Sequence, residues 1–353
     1  MTPVSAGSAR RSARGNSSVH CPCGSRYALV CLIVIAGWTL AATLPDAAAQ
    51  PRPEEVTDGG VWLARVQAAA QHINYAGTFI YQQGSQVQSS RITHLADASG
   101  EHEKLEVLDG QPREFIRHNE DVRCYVPDSK VILSEKRAKS DNFPAVLTAV
   151  PIEIDQHYRF ARAGMERVAG RSAEVARLDA RDKQRYGYKL WSDRETGLLL
   201  KAQTIGEQGD VIEQVAFTDI VVGGTIDRAR LRPSAPSTEG WRVEKSEMVP
   251  ADLSGAGWSV AAPIPGFRKI MEVKRSFGGR RDVGQIVYSD GLAAISLFIE
   301  PADSRGMAEG DARKGPINVV SKRHGDHWLT VVGEAPAASI RQVANSVEYK
   351  PPK

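Results

Sequence analysis

The chain is poor in cysteine, carries no excess of charge once its leader is set aside, and lacks the short motifs that mark most enzymes. Four cysteines occur in 353 residues, and Cys21, Cys23 and Cys31 all fall in the first 31 positions. That opening reads as a secretory leader. Arg10, Arg11, Arg14 and Arg26 are a basic lead-in, Ala28 to Leu40 is an apolar run, Pro45 breaks it, and Ala47 to Ala49 fits a small-residue cleavage site. The apolar run is short for a membrane span. With residues 1–49 removed, Cys124 stands alone, so an internal disulfide is excluded and the fold must rest on its core. "VRCYV" sets that cysteine in an apolar strand pattern, where packing rather than reactivity is expected.

The overall charge of +3 misleads in the same way. The leader takes away four arginines and Asp46, which leaves 41 basic and 41 acidic side chains from totals of 45 and 42. A nucleic-acid binder needs a basic excess, so that class is set aside. G-x-S-x-G, S-x-x-K, H-E-x-x-H and G-x-x-x-x-G-K are all missing, which argues against serine hydrolases, zinc proteases and P-loop enzymes. No repeat of fixed period is present.

What is there is a dense series of short alternating runs. A helix is expected from about residue 60 to 74, with Trp62, Val66, Ala69 and Ile73 on one stripe and Asp58 as its cap. Then come "GTFIYQQG", "QVQSSRITHLAD", "EKLEVLD", "REFIRH", "DVRCYVP" and "KVILSE", separated by two to five residues rich in Gly, Asp, Asn and Pro. That rhythm is an antiparallel meander, and with no helices between the runs a parallel α/β sheet is excluded. Residues 136–153 interrupt it with "KRAK" and a short apolar helix over "AVLTAV". Strands resume through "HYRFARAG", "SAEVARLDA", "YGYKLWSD", "GLLLKAQTIG" and "VIEQVAFTDIVV", with "SDRETG" as a hairpin turn.

Asp227 to Gly240 is rich in Pro, Ser and Arg and lacks periodicity, so it reads as a linker. Beyond it lie "FRKIMEVKRSF", a hairpin about Ser289-Asp290-Gly291, the stretch "PINVVSKRHGDHWLTVVGE", and a helix from Pro336 with Ile340, Val343 and Val347 on one face. The expected organisation is residues 1–49 as leader, 50–226 as a large binding domain, 227–240 as linker and 241–353 as a smaller α+β domain. The class is α+β, mainly antiparallel β. A sheet of this size must curl or be covered, and one apolar face would then enclose space for a greasy ligand.

Chemistry-bearing clusters are few. "HGDH" at His324 to His327 places two imidazoles about a carboxylate, yet Gly325-Asp326 between apolar runs is a two-residue turn. His94, His102 and His118, with Glu101, Glu103, Glu106 and Glu114, read as the solvated outside of the sheet. The cations of "FRKIMEVKRSFGGRRD" sit beside apolar residues, which suits an anionic lipid or an acidic peptide.

Five blocks, "YAGTFIYQQG", "RITHLADASGEHEKLEVLDGQPREFIRH", "CYVPDSK", "GYKLWSDRETGLLLKAQ" and "HWLTVVGEAPAASIRQVANSVEY", resemble in order and spacing the MucB/RseB family of periplasmic regulators of the envelope-stress sigma factor. The resemblance implies a larger domain similar to the lipoprotein carriers LolA and LolB, a half-open antiparallel barrel covered by helices. It implies a protein that binds the periplasmic segment of a membrane-spanning anti-sigma factor, shields it from the site-1 protease, and lets go on a lipopolysaccharide or lipoprotein signal. A homodimer is a further partner to test. No catalytic residues and no cofactor carry over. Phe79, Tyr81, Phe115, Tyr125, Val146 and Leu147 are the expected lining of the apolar pocket. Arg230, Arg232, Arg268, Lys269, Lys274, Arg275, Arg280 and Arg281 are the expected partner contacts. The other readings are a lipid or lipoprotein carrier, which would need no second domain, and an enzyme, which the missing motifs disfavour.

Overall fold

The structure, a computed structural model, describes residues 54–55, 59–136, 154–277, 280–302 and 308–351. The leader, Asp58 and the "AVLTAV" segment, with Val146 and Leu147, lie outside the described residues. Among those described, no helix is long and apolar enough to cross a membrane.

Helix α1, Gly59–His72, is followed by six strands: β2 Tyr75–Gln83, β3 Gln86–Asp97, β4 Gly100–Val107, β5 Arg113–His118, β6 Asp121–Val126 and β7 Val131–Lys136. β1, Glu54–Glu55, precedes the helix. A short α2, Ile154–His157, then leads into β8 Tyr158–Val168, β9 Arg171–Ala180, β10 Gly187–Asp193, β11 Leu199–Ile205 and β12 Val211–Val222. With β13, Arg242–Lys245, these form one open sheet in the order β1-β8-β9-β10-β11-β12-β2-β3-β4-β5-β6-β7-β13. Every pairing in it is antiparallel except β13 on β7, which is parallel. Two meanders are thus joined where β12 closes on β2.

The helix forms where expected but ends at His72, leaving Ile73 and Asn74 outside it. Trp62, Leu63, Val66, Ala69 and Ala70 are its buried side, while Val61 points away at 66% exposure. Trp62, Leu63 and Val66 pack with Phe160, Leu178, Tyr188 and Leu190, so this stripe rests on β8, β9 and β10. Gly77 has a local reason: a Cβ there would lie 2.4 Å from the Asp219 carbonyl oxygen, where β12 bulges against β2.

The second sheet holds β14 Glu247–Pro250, β16 Arg268–Phe277, β17 Arg280–Ser289, β18 Ala294–Pro301, β19 Gly310–Lys314, β20 Ile317–His324 and β21 His327–Gly333. Its order is β14-β16-β17-β18-β21-β20-β19, and a two-stranded pair, β15 Trp258–Val260 with β22 Val347–Tyr349, stands beside it. Helix α3, Ala337–Asn345, buries Ile340, Val343 and Ala344 in the same core as Leu297, Leu329 and Val331. β13 and β14 are separated by Ser246 alone, so one extended stretch leaves the edge of the first sheet and becomes the edge of the second.

The two sheets meet at a buried arginine. Arg185 has 0% of its side chain exposed. Its Nη1 donates to Asp290 Oδ2 at 2.8 Å, Nη2 to the Pro265 carbonyl at 2.5 Å, and Nε to both oxygens of Asp182 at 3.1 Å. Its guanidinium also lies over the rings of Tyr158 and Phe267, 5.6 and 5.5 Å from their centroids. Tyr158 Oη donates to the same Asp290 oxygen at 3.0 Å. Burial, with the Asp290 charge next, pushes that phenol well above its usual range. The other Asp290 oxygen accepts from the Leu292 and Ala293 amides and shapes the β17–β18 turn. Leu292, at 0% exposure, then seats in the core beneath α1.

This packing makes two predictions. Removing one member of a buried ion pair strands the other, at a cost of about 3–5 kcal/mol. Asp290→Ala is therefore expected to lower urea-unfolding stability by roughly that much and to split one transition into two, one for each sheet; a single unshifted transition would refute the tie. Asp193, with 2% of its side chain exposed, accepts from Arg171 and from the Thr196 amide and hydroxyl. Burial opposes its charge, but Arg171 and Thr196 outweigh burial and hold the carboxyl below its usual range. Its contribution is present above the ordinary Asp range and is lost as pH falls through the depressed value. Asp193→Asn should cost about 1.5–3 kcal/mol at neutral pH, a deficit that narrows on acidification below roughly pH 3.9.

Candidate functional site

Strand register decides which side chains share a face, because cross-strand partners point the same way. From β12 to β7 one row reads Ile220, Gly77, Ile92, Leu105, Phe115, Cys124, Leu133. Ile92, Leu105 and Cys124 in it are completely buried. The same face carries Phe217 and Phe79, paired across β12 and β2, with ring centroids 5.9 Å apart. Phe79 is 2% exposed, while Tyr81 and Phe115 are partly buried against the same cluster. Three expected lining residues thus stand on one apolar face.

Tyr125 does not join them. It pairs with Glu114, neighbour of Phe115, and so faces the opposite way, where Trp241 meets it edge-on at 6.3 Å. A single position of parity separates the two assignments.

The next row on the apolar face is charged. It reads Val222, Tyr75, His94, Glu103, Arg117, Val122, Glu135. His94 is fully buried, and Glu103 and Arg117 are 7% and 6% exposed. The Arg117 guanidinium lies 3.2 Å from Glu101 and 3.5 Å from Glu103. His94 Nδ1 lies 2.9 Å from the Ile73 carbonyl, which can only accept, so the ring carries its proton there and turns Nε2 toward Glu101. Burial opposes the Glu101 charge, but the hydrogen bonds and charge of Arg117, beside the His94 ring, prevail and hold its carboxyl below the usual range. His94, Glu101 and Glu103 therefore do not decorate the outside of the sheet, contrary to what the alternation implies. Glu103 is two residues from Leu105 and shares its face. The buried Glu103 and half-buried Glu101 are tolerated because Arg117 sits between them.

The outer face of the same strands holds His102, Lys104 and Glu106 of β4 and Glu114 and His118 of β5. Residues 227–241 run across it. Arg228 reaches Asp97 and Ser99, the Ser234 amide donates to Glu114 at 2.9 Å, Lys104 Nζ donates to Ser234 Oγ at 2.8 Å, and Trp241 rests on Tyr125. The stretch without periodicity is a strap fastened by side chains, and polar fastenings leave no periodic signal.

The cationic positions divide in the same way. Arg230, Arg232, Arg268 and Lys274 are exposed. Lys269 is engaged by Glu272 and by Ser254 Oγ. Arg275 is buried, 3.7 Å from Glu135 of the first sheet and hydrogen-bonded to Gln285, so it joins the sheets rather than facing outward. The side chains of Arg280 and Arg281 lie outside the described residues.

"HGDH" is a tight turn. His324 and His327 pair across it, with Gly325 at a φ of +59°. Both rings pack against Trp258, at 5.9 and 4.9 Å, and so hold the β15–β22 pair to the sheet. No group of three or more His, Cys, Asp or Glu suited to a metal ion occurs among the described residues.

Comparison with known proteins places the whole arrangement. Residues 58–235 match the MucB/RseB N-terminal domain and residues 252–348 the MucB/RseB C-terminal domain. The chain belongs to the MucB/RseB family. It is 32% identical over 308 residues to the sigma factor AlgU regulatory protein MucB of Pseudomonas aeruginosa, covering 83% of this chain and 92% of that protein. The sigma-E factor regulatory protein RseB of Haemophilus influenzae is 24% identical over 293 residues, 82% of this chain and 90% of that one. A crystal structure of MucB in complex with MucA(peri) superposes with a TM-score of 0.64 at 29% identity, over 83% of this chain and 99% of that one. The Pseudomonas aeruginosa MucA/MucB complex gives 0.66 at the same identity and coverage. Each MucB/RseB domain model thus falls on one of the two large sheets.

Register is open to direct test. In a labelling experiment, a cysteine at position 115 should react with an apolar maleimide faster than Cys124, which is 0% exposed. Equal rates for the two neighbours would contradict the assigned depth.

Proposed function

We propose that this protein is a periplasmic regulator. It binds the periplasmic segment of a membrane-spanning anti-sigma factor and shields that segment from site-1 proteolysis. A lipopolysaccharide or lipoprotein signal then releases it. The observation that carries this reading is the likeness, at 29% identity and over both sheets, to MucB bound to a periplasmic MucA domain. Family membership supports it, since the relatives bear the names of sigma factor regulatory proteins.

The lipid half of the proposal rests on the apolar face. Phe79, Tyr81 and Phe115 form the lining of a half-open barrel in this reading. The exposed Arg230, Arg232, Arg268 and Lys274 are the contacts offered to the anti-sigma segment. Coupling between the two ligands has one requirement. Lipid must bind the released form more tightly than the protecting form, because a ligand with equal affinity for both moves no equilibrium.

The test is capture from envelope extract with residues 50–353 as bait, with and without lipopolysaccharide. The expected catch is a single-span inner-membrane protein whose cytoplasmic part holds a sigma factor, and lipid should weaken it. Lipoproteins alone would indicate a carrier instead. Phe115→Asp places a charge on the apolar face and should raise the lipid concentration needed for release by roughly tenfold, or about 1.4 kcal/mol. Unchanged release would remove that face from the lipid site.

A further inference from the structure

Besides Leu231, which packs against the Ala76, Leu95 and Ile226 cluster, the strap is fastened by side chains at three places, and the first lies beside two imidazoles. Asp227 caps the short helical turn Arg228–Leu231 through the Ala229 amide. Arg228 then binds the carboxylate of Asp97 and, at 3.2 Å, Ser99 Oγ. Ser99 Oγ also donates to Asp97 at 2.6 Å and lies 2.7 Å from His102 Nε2. The His102 ring stacks on His118 across β4 and β5, with centroids 4.3 Å apart and planes 10° from parallel. His118 Nε2 lies 3.2 Å from the Ser99 carbonyl oxygen. One turn, Asp97 to Gly100, therefore carries Arg228 on one side and two stacked imidazoles on the other.

We propose that His102 and His118 form an acid-operated latch for the linker: a proton taken up by His102 loosens the hold of Asp97 on Arg228 and frees the front of the strap from the sheet. The geometry supplies the competition. Asp97 Oδ1 lies 3.9 Å from His102 Nε2, so an imidazolium there draws on the carboxylate that Arg228 needs. It also sets a like charge beside Arg228.

The other charged groups around the pair do not relieve this. Asp121 pairs across from His118 on β6. On the opposite face, Glu101 is occupied by Arg117, and His94 faces it. Hydrogen bonds from Ser99, with Arg228 adding its charge, hold the Asp97 carboxyl down at about 2, so it stays ionised wherever the imidazoles titrate. Burial first, then His118, hold His102 below the usual histidine range, with Asp97 pulling the other way and Arg228 and His94 reinforcing the shift. Arg228 is the strap's own share of that shift: its charge opposes a proton on His102, so the docked state binds fewer protons than the undocked one. Docking is therefore favoured most above the ordinary histidine value of roughly 6.5 and is weakened as pH falls through and below it. Linkage is reciprocal: whatever protonation costs Arg228 docking, loss of Arg228 must return to His102 as a higher pKa.

The experiment is a proton NMR titration of His102 in the purified protein and in Arg228→Gln, which changes an exposed side chain. Amide exchange of residues 228–232 is measured alongside at about pH 7.5 and about pH 5.5, corrected for intrinsic rates. The latch requires the His102 pKa to rise in Arg228→Gln by at least about 0.3, a twofold change in proton affinity. It also requires protection of the strap to fall at least roughly twofold on acidification in the parent protein, and by clearly less in His102→Gln. An unchanged His102 titration would overturn the proposal, as would an equal loss of protection in His102→Gln. The titration needs only the parent and Arg228→Gln, so it decides the matter even if His102→Gln fails to fold.

Discussion

A guanidinium without access to water is costly unless every part of it is matched, and Arg185 is matched by both halves of the chain. Asp182 comes from its own loop, while Asp290 and the Pro265 carbonyl come from the second half. Because the same Asp290 also shapes the turn that delivers Leu292 into the first core, ion pair and hydrophobic contact stand or fall together. The two sheets are therefore held in one relation rather than strung on a flexible joint. Arg275 with Glu135 forms a second tie beside Ser246, where the chain passes from one sheet edge to the other.

That frame gives the first sheet two different faces. One carries an apolar row flanked by a buried charged row, with Arg117 compensating Glu101 and Glu103. A greasy ligand on this face would meet hydrocarbon along one line and a charge-balanced polar line beside it. The other face carries the strap, whose ion pair at Arg228 lies near the surface beside the apolar contacts of Leu231 and Trp241. Surface ion pairs of this kind contribute little each, which suits a contact that must be undone.

The regular parts of the fold are legible in residue type and spacing. Gln86–Asp97, Arg113–His118 and Val211–Val222 are strands with the ends their alternation and turn residues indicate. The "SDRETG" and "SDG" turns are also where the pattern puts them, and the helix after Pro336 forms with Ile340 and Val343 buried but ends at Asn345, so Val347 belongs to β22 instead. The strands without a signature of their own are β1, β13, β14, β15, β19 and β22, of two to five residues each. So short a run has no period to detect, and the parallel pairing of β13 with β7 depends on a partner more than a hundred residues away. The apolar face is legible in part. Phe79, Tyr81 and Phe115 share it, while Tyr125 and Glu103 lie on the sides opposite to those expected, because alternation reveals two faces without saying which residue begins each.

Residue type and spacing settle the local matters: the antiparallel meanders and the turns between their strands. Their influence acts over a few positions, so it is written in the chain itself. Packing in three dimensions brings Arg185 to Asp290, buries Arg275 instead of offering it to a partner, and lays the linker on the sheet beside His102 and His118. Each of these is a pairing of charged or polar groups far apart in the chain. Such groups carry no periodic signal, and their partners are chosen by which elements the hydrophobic core brings together.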